Sequence, residues 1–153
     1  MNIIELQDIE NNSGDSKLNK AYSQFSQLLI VLKKTELPDK IMISVNRDIE
    51  DINSNSLPEK KLSKFIKQKQ SKIIKELEKD LKIVPINYYR NLWLAIGMSA
   101  FGLPIGAAIG LTSGNIGLLA IGLPIGMAIG TAVGSSMDKK ALEEGRQLDI
   151  EVN

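Results

Sequence analysis

The feature that most constrains this chain is a block of 47 residues, positions 91–137, that contains no Asp, Glu, Lys or Arg. A helix needs roughly 20 apolar residues to cross about 30 Å of hydrocarbon, so this uncharged block suits two membrane spans better than one buried core helix. We place the spans near 92–111 and 116–136, joined by a short turn at 112–115. A turn this short predicts a hairpin whose two helices run antiparallel.

Glycine recurs inside the uncharged block with an offset of 20 residues. The segments GLPIGAAIG and GLPIGMAIG begin at Gly102 and Gly122, and Pro104 and Pro124 occupy matching positions. Glycine at every fourth position lets two helix backbones approach closely in lipid, where packing replaces the hydrophobic drive. Each proline predicts a kink, which we assign to packing rather than to a gating hinge. The predicted helix-packing glycines are Gly97, Gly102, Gly106, Gly110, Gly114, Gly117, Gly122, Gly126, Gly130 and Gly134.

These glycine segments resemble the glycine-zipper class of bacterial membrane proteins. The run GLPIGMAIGTAVGSSMDKKALEEGRQLDIEV looks like the C-terminal end of bacterial glycine-zipper family proteins that have no known activity. The resemblance covers roughly residues 85–153 and implies an integral membrane protein that packs closely and assembles as an oligomer. A looser similarity is to two-span effectors of bacterial conflict systems, which join a cytoplasmic helical part to a membrane hairpin.

Residues at the ends of the uncharged block predict its orientation in a membrane. Amphipathic aromatic side chains favour the headgroup level, and positive charge is retained on the cytoplasmic side. Basic residues flank the hairpin on both sides and are absent from its turn, so both termini are expected in the cytoplasm of a bacterial inner membrane. The predicted interface anchors are Tyr88, Tyr89, Arg90, Trp93, Lys139 and Lys140.

Three amphipathic patterns precede the hairpin and predict helices at about 16–34, 38–53 and 57–84. Short loops between them favour an antiparallel bundle, and the same apolar stripes also suit packing against another subunit. The predicted fold class is all-α. It comprises a cytoplasmic helical region (1–84), a transmembrane hairpin with glycine-zipper repeats (85–137) and a cytoplasmic C-terminal tail (138–153). The alternation of Leu148, Ile150 and Val152 in the tail fits a short strand, a docking segment or a frayed end.

Charge and composition narrow the chemistry that this chain can perform. Cys and His are absent, which excludes thiol and imidazole catalysis and thiolate metal sites. The acidic run at Asp48, Glu50 and Asp51 is expected to be a solvated helix face. The lysines of residues 59–90 fit a solvated face or a contact with anionic headgroups, and the scarcity of aromatics among them argues against nucleic acid. No catalytic residue, metal site or cofactor is predicted.

Together these patterns predict a non-enzymatic integral membrane protein that packs and self-associates through its hairpin. Its expected partners are the lipid bilayer, further copies of itself and a cytoplasmic protein bound by the helical region. Small residues off the glycine stripe, Ala128 and Ala132 with Ala107 and Ala108, suit a neighbouring subunit. Two alternatives are an oligomeric pore-forming or membrane-disrupting effector and a soluble protein that buries the hairpin.

Overall fold

A computed structural model describes residues 2–7 and 16–152 of the chain. The described residues are 76% helical and form five helices, which confirms the all-α prediction at that level. Two short strands within the described residues form one small sheet. Contacts between residues divide the chain into two compact units, one of residues 1–83 with 148–150 and the other of residues 84–147 with 151–153.

The first unit is built from helices α1 (Ser16–Lys33), α2 (Asp39–Asn53) and α3 (Glu59–Leu81). Helix α3 contacts both α1 and α2. The apolar stripes that predict these helices form the core, because residues three or four apart share one face of a helix. The largest fully buried apolar side chains of this unit are Leu18, Phe25, Leu28, Leu32, Ile41, Val45, Ile49, Ile66, Ile73 and Leu77.

Helix α3 ends at Leu81, three residues before the end that its apolar stripe predicts. Lys82 adopts the left-handed conformation with φ 58°, and its N–H donates to the carbonyl of Glu78. Pro85 disfavours helical geometry at Val84, so the chain leaves the helix early and enters strand β1 (Val84–Ile86).

The second unit contains the two apolar helices, α4 (Tyr88–Thr112) and α5 (Ile116–Glu143). Both are long and apolar enough to cross a membrane, and they enclose the two spans predicted from the sequence. The three residues between them turn the chain through Gly114, whose φ of 63° favours glycine. Arg90 at the start of α4 lies against Gly134, whereas Gly106 further along α4 lies against Leu119 near the start of α5, so the two helices run antiparallel.

After α5 the chain forms strand β2 (Gln147–Glu151), which pairs with β1. Gly145, with φ 67°, breaks the helix, and the N–H of Val84 donates to the carbonyl of Arg146 at 3.0 Å. Leu148 and Ile150 are buried on alternate positions of β2, as the period of a strand requires. The tail therefore forms the short strand, rather than the docking segment or the frayed end that its sequence also fits.

Candidate functional site: the apolar hairpin

Helices α4 and α5 approach so closely that only glycine fits at the points of contact. A Cβ atom placed on Gly122 would lie 2.1 Å from the carbonyl oxygen of Gly102 and 2.3 Å from the nitrogen of Gly106. One placed on Gly130 would lie 2.1 Å from the carbonyl oxygen of Trp93. These neighbours are backbone atoms, which cannot rotate away as a side chain can, so the contact depends on the absence of a Cβ.

Eight of the ten predicted packing glycines are buried and face the opposite side of the hairpin. Gly114 and Gly117 lie elsewhere, Gly114 in the turn with open space around it and Gly117 beside the side chain of Asn115. A Cβ on Gly110 would make only an ordinary contact, 3.4 Å from the carbonyl oxygen of Asn115. The buried glycines are Gly97, Gly102, Gly106, Gly110, Gly122, Gly126, Gly130 and Gly134.

The 20-residue repeat is arranged about the contact between the two helices. Gly102 and Gly122 are equivalent positions of the repeat, and they face each other across the hairpin. Moving outward from this pair, Gly106 meets Leu119, and Gly126 meets Gly97 and Gly102. A local pseudo-twofold axis at the Gly102–Gly122 contact therefore relates the two copies of the repeat. The turn interrupts it at Gly114, whose equivalent Gly134 packs against the backbone of Arg90 instead.

The outward faces of the hairpin are apolar and exposed. Only 22% of the most apolar window of α4 and 17% of that of α5 is buried. The hairpin thus buries its smallest residues and exposes its largest apolar ones, the reverse of a water-soluble core. The exposed large side chains of this face are Leu92, Ile96, Phe101, Leu103, Leu111, Ile116, Leu119, Ile121, Ile125, Met127, Ile129 and Val133.

Polar groups and prolines within the hairpin have backbone roles. A π-helical stretch, Gly97–Gly102, comes just before Pro104, while Pro124 lies inside α5. The hydroxyl of Ser99 donates to the carbonyl of Ala95 at 3.0 Å, and that of Thr112 donates to the carbonyl of Ala108 at 2.7 Å. These hydroxyls therefore donate to carbonyls of their own helix, one turn earlier.

A buried carboxylate that sequence reasoning did not single out joins the two ends of the hairpin. Asp138, only 7% exposed, lies in α5 just beyond the uncharged block. One of its oxygens accepts the N–H of Tyr89 at 3.0 Å and the other accepts the N–H of Arg90 at 2.9 Å. The first N–H groups of a helix have no partner within it, so Asp138 caps the start of α4 from the end of α5.

The predicted interface anchors occupy different environments. Tyr89 is buried and packs with Val84 and Ala141. Its ring contacts that of Tyr88 edge-on, with 5.2 Å between the ring centroids. Tyr88 and Trp93 are partly buried against the same cluster. Arg90, Lys139 and Lys140 are exposed.

The first unit contains a buried ion cluster where the sequence predicts a solvated acidic face. Asp48 is fully buried, and its carboxylate accepts hydrogen bonds from Lys69 at 2.8 Å and from Lys72 at 2.9 Å. Lys69 also donates to Asp51. Burial disfavours the charge on Lys69, but its hydrogen bonds to Asp48 and Asp51 outweigh this effect and raise its pKa. The hydrogen bond from Lys69 lowers the pKa of Asp51.

The expectation that Asp48 is solvated is therefore wrong. A short acidic run on a helix surface is normally exposed, but here two lysines of α3 neutralise a carboxylate that α2 carries into the core. Within residues 2–7 and 16–152, no group of three or more acidic side chains is placed to hold a metal ion.

Comparison with known proteins adds no relative. No family model, curated protein or solved structure matches this chain.

Proposed function

We propose that this chain is a non-enzymatic integral membrane protein whose α4–α5 hairpin crosses the bilayer as a glycine zipper. The observation that carries the proposal is the inverted distribution of the hairpin, with glycines at the helix contact and large apolar side chains outside. In water, burial of apolar surface contributes about 25 cal/mol per Å², so a hairpin that leaves twelve large apolar side chains of its uncharged block exposed forgoes that stabilisation. In lipid the same faces carry no such penalty.

Backbone hydrogen bonding supports the same proposal. Every group that crosses hydrocarbon has to be satisfied within the protein, which favours continuous helices. The proposed orientation places both termini in the cytoplasm of a bacterial inner membrane, because Arg90, Lys139 and Lys140 flank the hairpin and the turn carries no charge. The cap that Asp138 supplies to α4 then lies at the cytoplasmic end, where a carboxylate remains near water.

We further propose that the hairpin self-associates through a second small-residue face. The buried glycines are occupied by the contact between α4 and α5, so they are not available to a neighbouring copy. Ala128, Ala132 and Ser136 lie four residues apart on α5, and all three are exposed. Small residues at this spacing permit close approach of another helix. The first unit, in the cytoplasm, is proposed to bind a protein partner.

Fractionation and particle size test this proposal. The chain is expected to sediment with membranes, resist alkaline extraction, and form detergent particles larger than one copy. Ala128→Leu with Ala132→Leu should reduce the particle to a monomer, whereas the control Ala95→Leu with Ala100→Leu, at other exposed positions of the hairpin, should not. Recovery of the chain in the soluble fraction would contradict membrane insertion. A monomeric unaltered chain would contradict self-association alone.

A further inference from the structure

The first six described residues are held by the side chain of an asparagine in α2. Residues 2–7, here called the N-terminal arm, belong to no helix or strand. The N–H of Ile4 donates to Oδ1 of Asn46 at 3.0 Å, and Nδ2 of Asn46 donates to the carbonyl of Asn2 at 3.0 Å. One side-chain amide therefore satisfies two backbone groups that lie two residues apart in the arm.

A second asparagine repeats this arrangement further along the arm. The N–H of Gln7 donates to Oδ1 of Asn53 at 2.9 Å, and Nδ2 of Asn53 donates to the carbonyl of Glu5 at 3.0 Å. The hydroxyl of Tyr22 in α1 donates to the carbonyl of Gln7 at 2.7 Å. Five hydrogen bonds therefore hold the arm through its backbone, and none of them depends on the identity of its side chains.

The spacing of the two asparagines matches the repeat of an extended peptide. Asn46 and Asn53 are seven residues apart, which is about two turns and about 10.5 Å along one face of a helix. Three residues of a polyproline II chain span about 9 Å, and the fourth residue returns to the same side as the first. The two amides accordingly bracket Ile3 and Leu6, three residues apart, with the same bonding pattern at each.

Apolar burial adds a preference to this backbone recognition. Ile3 is 9% exposed and borders a cleft of about 510 Å³ that is also lined by Leu32, Leu37 and Met42. Leu6 is half-buried, while Glu5 and Gln7 are exposed. The site therefore accepts an extended segment with apolar side chains three positions apart and tolerates polar residues between them.

We propose that this site on α1 and α2 binds the N-terminal arm of a second copy of the chain, so that copies exchange arms. The arm is a sequence that the site demonstrably fits, and every copy carries one. An arm from another copy can make the same five hydrogen bonds and bury the same isoleucine, so exchange loses no contact. The balance between the two arrangements is then set by local concentration, which confinement of copies to a membrane raises.

Arm exchange is independent of the small-residue face of the hairpin. The five hydrogen bonds and the cleft at Ile3 lie within residues 2–53, and only the local-concentration argument rests on the proposed membrane location. Arm exchange and self-association of the hairpin can therefore be contradicted independently. Chains whose hairpins do not associate can still exchange arms. Chains whose hairpins do associate can each keep the arm in its own copy.

Isotope-mixed crosslinking of the full chain tests arm exchange. Leu6 is replaced by the photo-reactive p-benzoylphenylalanine, ¹⁵N-labelled and unlabelled chains are refolded together into lipid, and the products of illumination are mapped by mass spectrometry. Exchange predicts crosslinked pairs in which the arm and the α2 peptide carry different isotopes, approaching half of all such pairs at full exchange. If every pair carries a single isotope, the arm stays in its own copy and the proposal is wrong.

Matched variants show whether the crosslinks report this site. Asn46→Ala with Asn53→Ala removes four of the five hydrogen bonds and should lower the yield of mixed pairs about tenfold or more, because the arm then no longer stays in the site. Ile3→Asp should have the same effect while leaving all three helices unaltered, which covers the case in which the double variant folds poorly. The exposed control Gln27→Ala should keep the mixed pairs. Mixed pairs that survive both site variants would overturn the proposal.

Discussion

Asp138 is the residue whose contacts most clearly join two distant parts of the chain. Its two oxygens accept the N–H groups of Tyr89 and Arg90, 49 and 48 residues earlier. These N–H groups open α4 and would otherwise have no partner within the helix. The carboxylate is 7% exposed, and its loss leaves both N–H groups without this partner.

We predict that Asp138→Ala destabilises the hairpin by about 1–2 kcal/mol, the usual range for the loss of a helix cap. Asp138→Asn keeps one acceptor oxygen and should cost about half as much. Thermal unfolding in detergent, followed by circular dichroism, measures both. Asp149→Ala removes an exposed carboxylate and is the control. Equal melting temperatures for Asp138→Ala and the control would show that the cap is not stabilising.

The glycines predict a graded response to the addition of a single methyl group. Gly122→Ala places a Cβ 2.1 Å from a backbone oxygen and should destabilise the hairpin by about 2–3 kcal/mol, as overpacking does. Gly110→Ala meets nothing closer than 3.4 Å and should be neutral or stabilising by up to about 1 kcal/mol, because alanine favours helix. Unfolding in detergent ranks the two variants. The reverse order would contradict the close contact at Gly122.

At the scale of the helical elements, α2 and α3 are joined by ion pairs that the sequence pattern does not reveal. Lys40 of α2 pairs with Asp80 of α3 at 3.0 Å, and the hydroxyl of Ser44 donates to Glu76 at 2.7 Å. The hydrogen bond from Lys40 lowers the pKa of Asp80, as that from Lys69 lowers the pKa of Asp51. Both carboxyl groups are therefore more acidic in the folded chain than in the unfolded one.

This lowering of two pKa values predicts how stability depends on pH. The contribution of Asp51 and Asp80 is complete above the ordinary carboxyl pKa of about 3.9 and is lost as the pH falls through their lower folded values. The melting temperature of the first unit should be level from about pH 6 to 8 and fall below about pH 4. Lys40→Met with Lys69→Met should flatten the fall, and the exposed control Lys64→Met should not. An unchanged slope in the double variant would contradict this assignment.

Local sequence patterns predict where the helices of this fold lie better than they predict which side chains the helices bring together. The three apolar stripes and the uncharged block lead to five helices, because a helical face or a membrane-length segment is encoded in neighbouring residues. The end of α3 is misjudged by three residues because Val84 continues the apolar stripe while the chain has already turned at Lys82. The burial of Asp48 depends on lysines 21 and 24 residues away on another helix, which periodicity cannot show.

The role of Asp138 had a usable signal in the sequence. If Gly102 faces its repeat equivalent Gly122, antiparallel pairing places position 138 opposite position 86, close to the start of α4. An acidic residue there is suited to the unpaired N–H groups of that helix. The repeat alone does not choose this register, since other offsets also align glycine with glycine, and the structure supplies the choice.

At the scale of the whole molecule, the two functions proposed for the exposed apolar hairpin predict different effects of its expression on a cell. A packing and self-associating hairpin predicts harmless expression and an intact membrane potential. The alternative of an oligomeric pore predicts toxicity and loss of potential on expression. The hydroxyls of Ser99 and Thr112 donate to backbone carbonyls of their own helix.

The side of the membrane on which each end of the hairpin lies shows whether the hairpin crosses the bilayer twice. The chain contains no cysteine, so single cysteines can be introduced at Ser113 in the turn and at Asp149 in β2. A membrane-impermeant maleimide applied to intact cells should label Ser113→Cys only, and applied to inverted membrane vesicles it should label Asp149→Cys only. Labelling of both positions from the same side would contradict a hairpin that crosses the membrane twice.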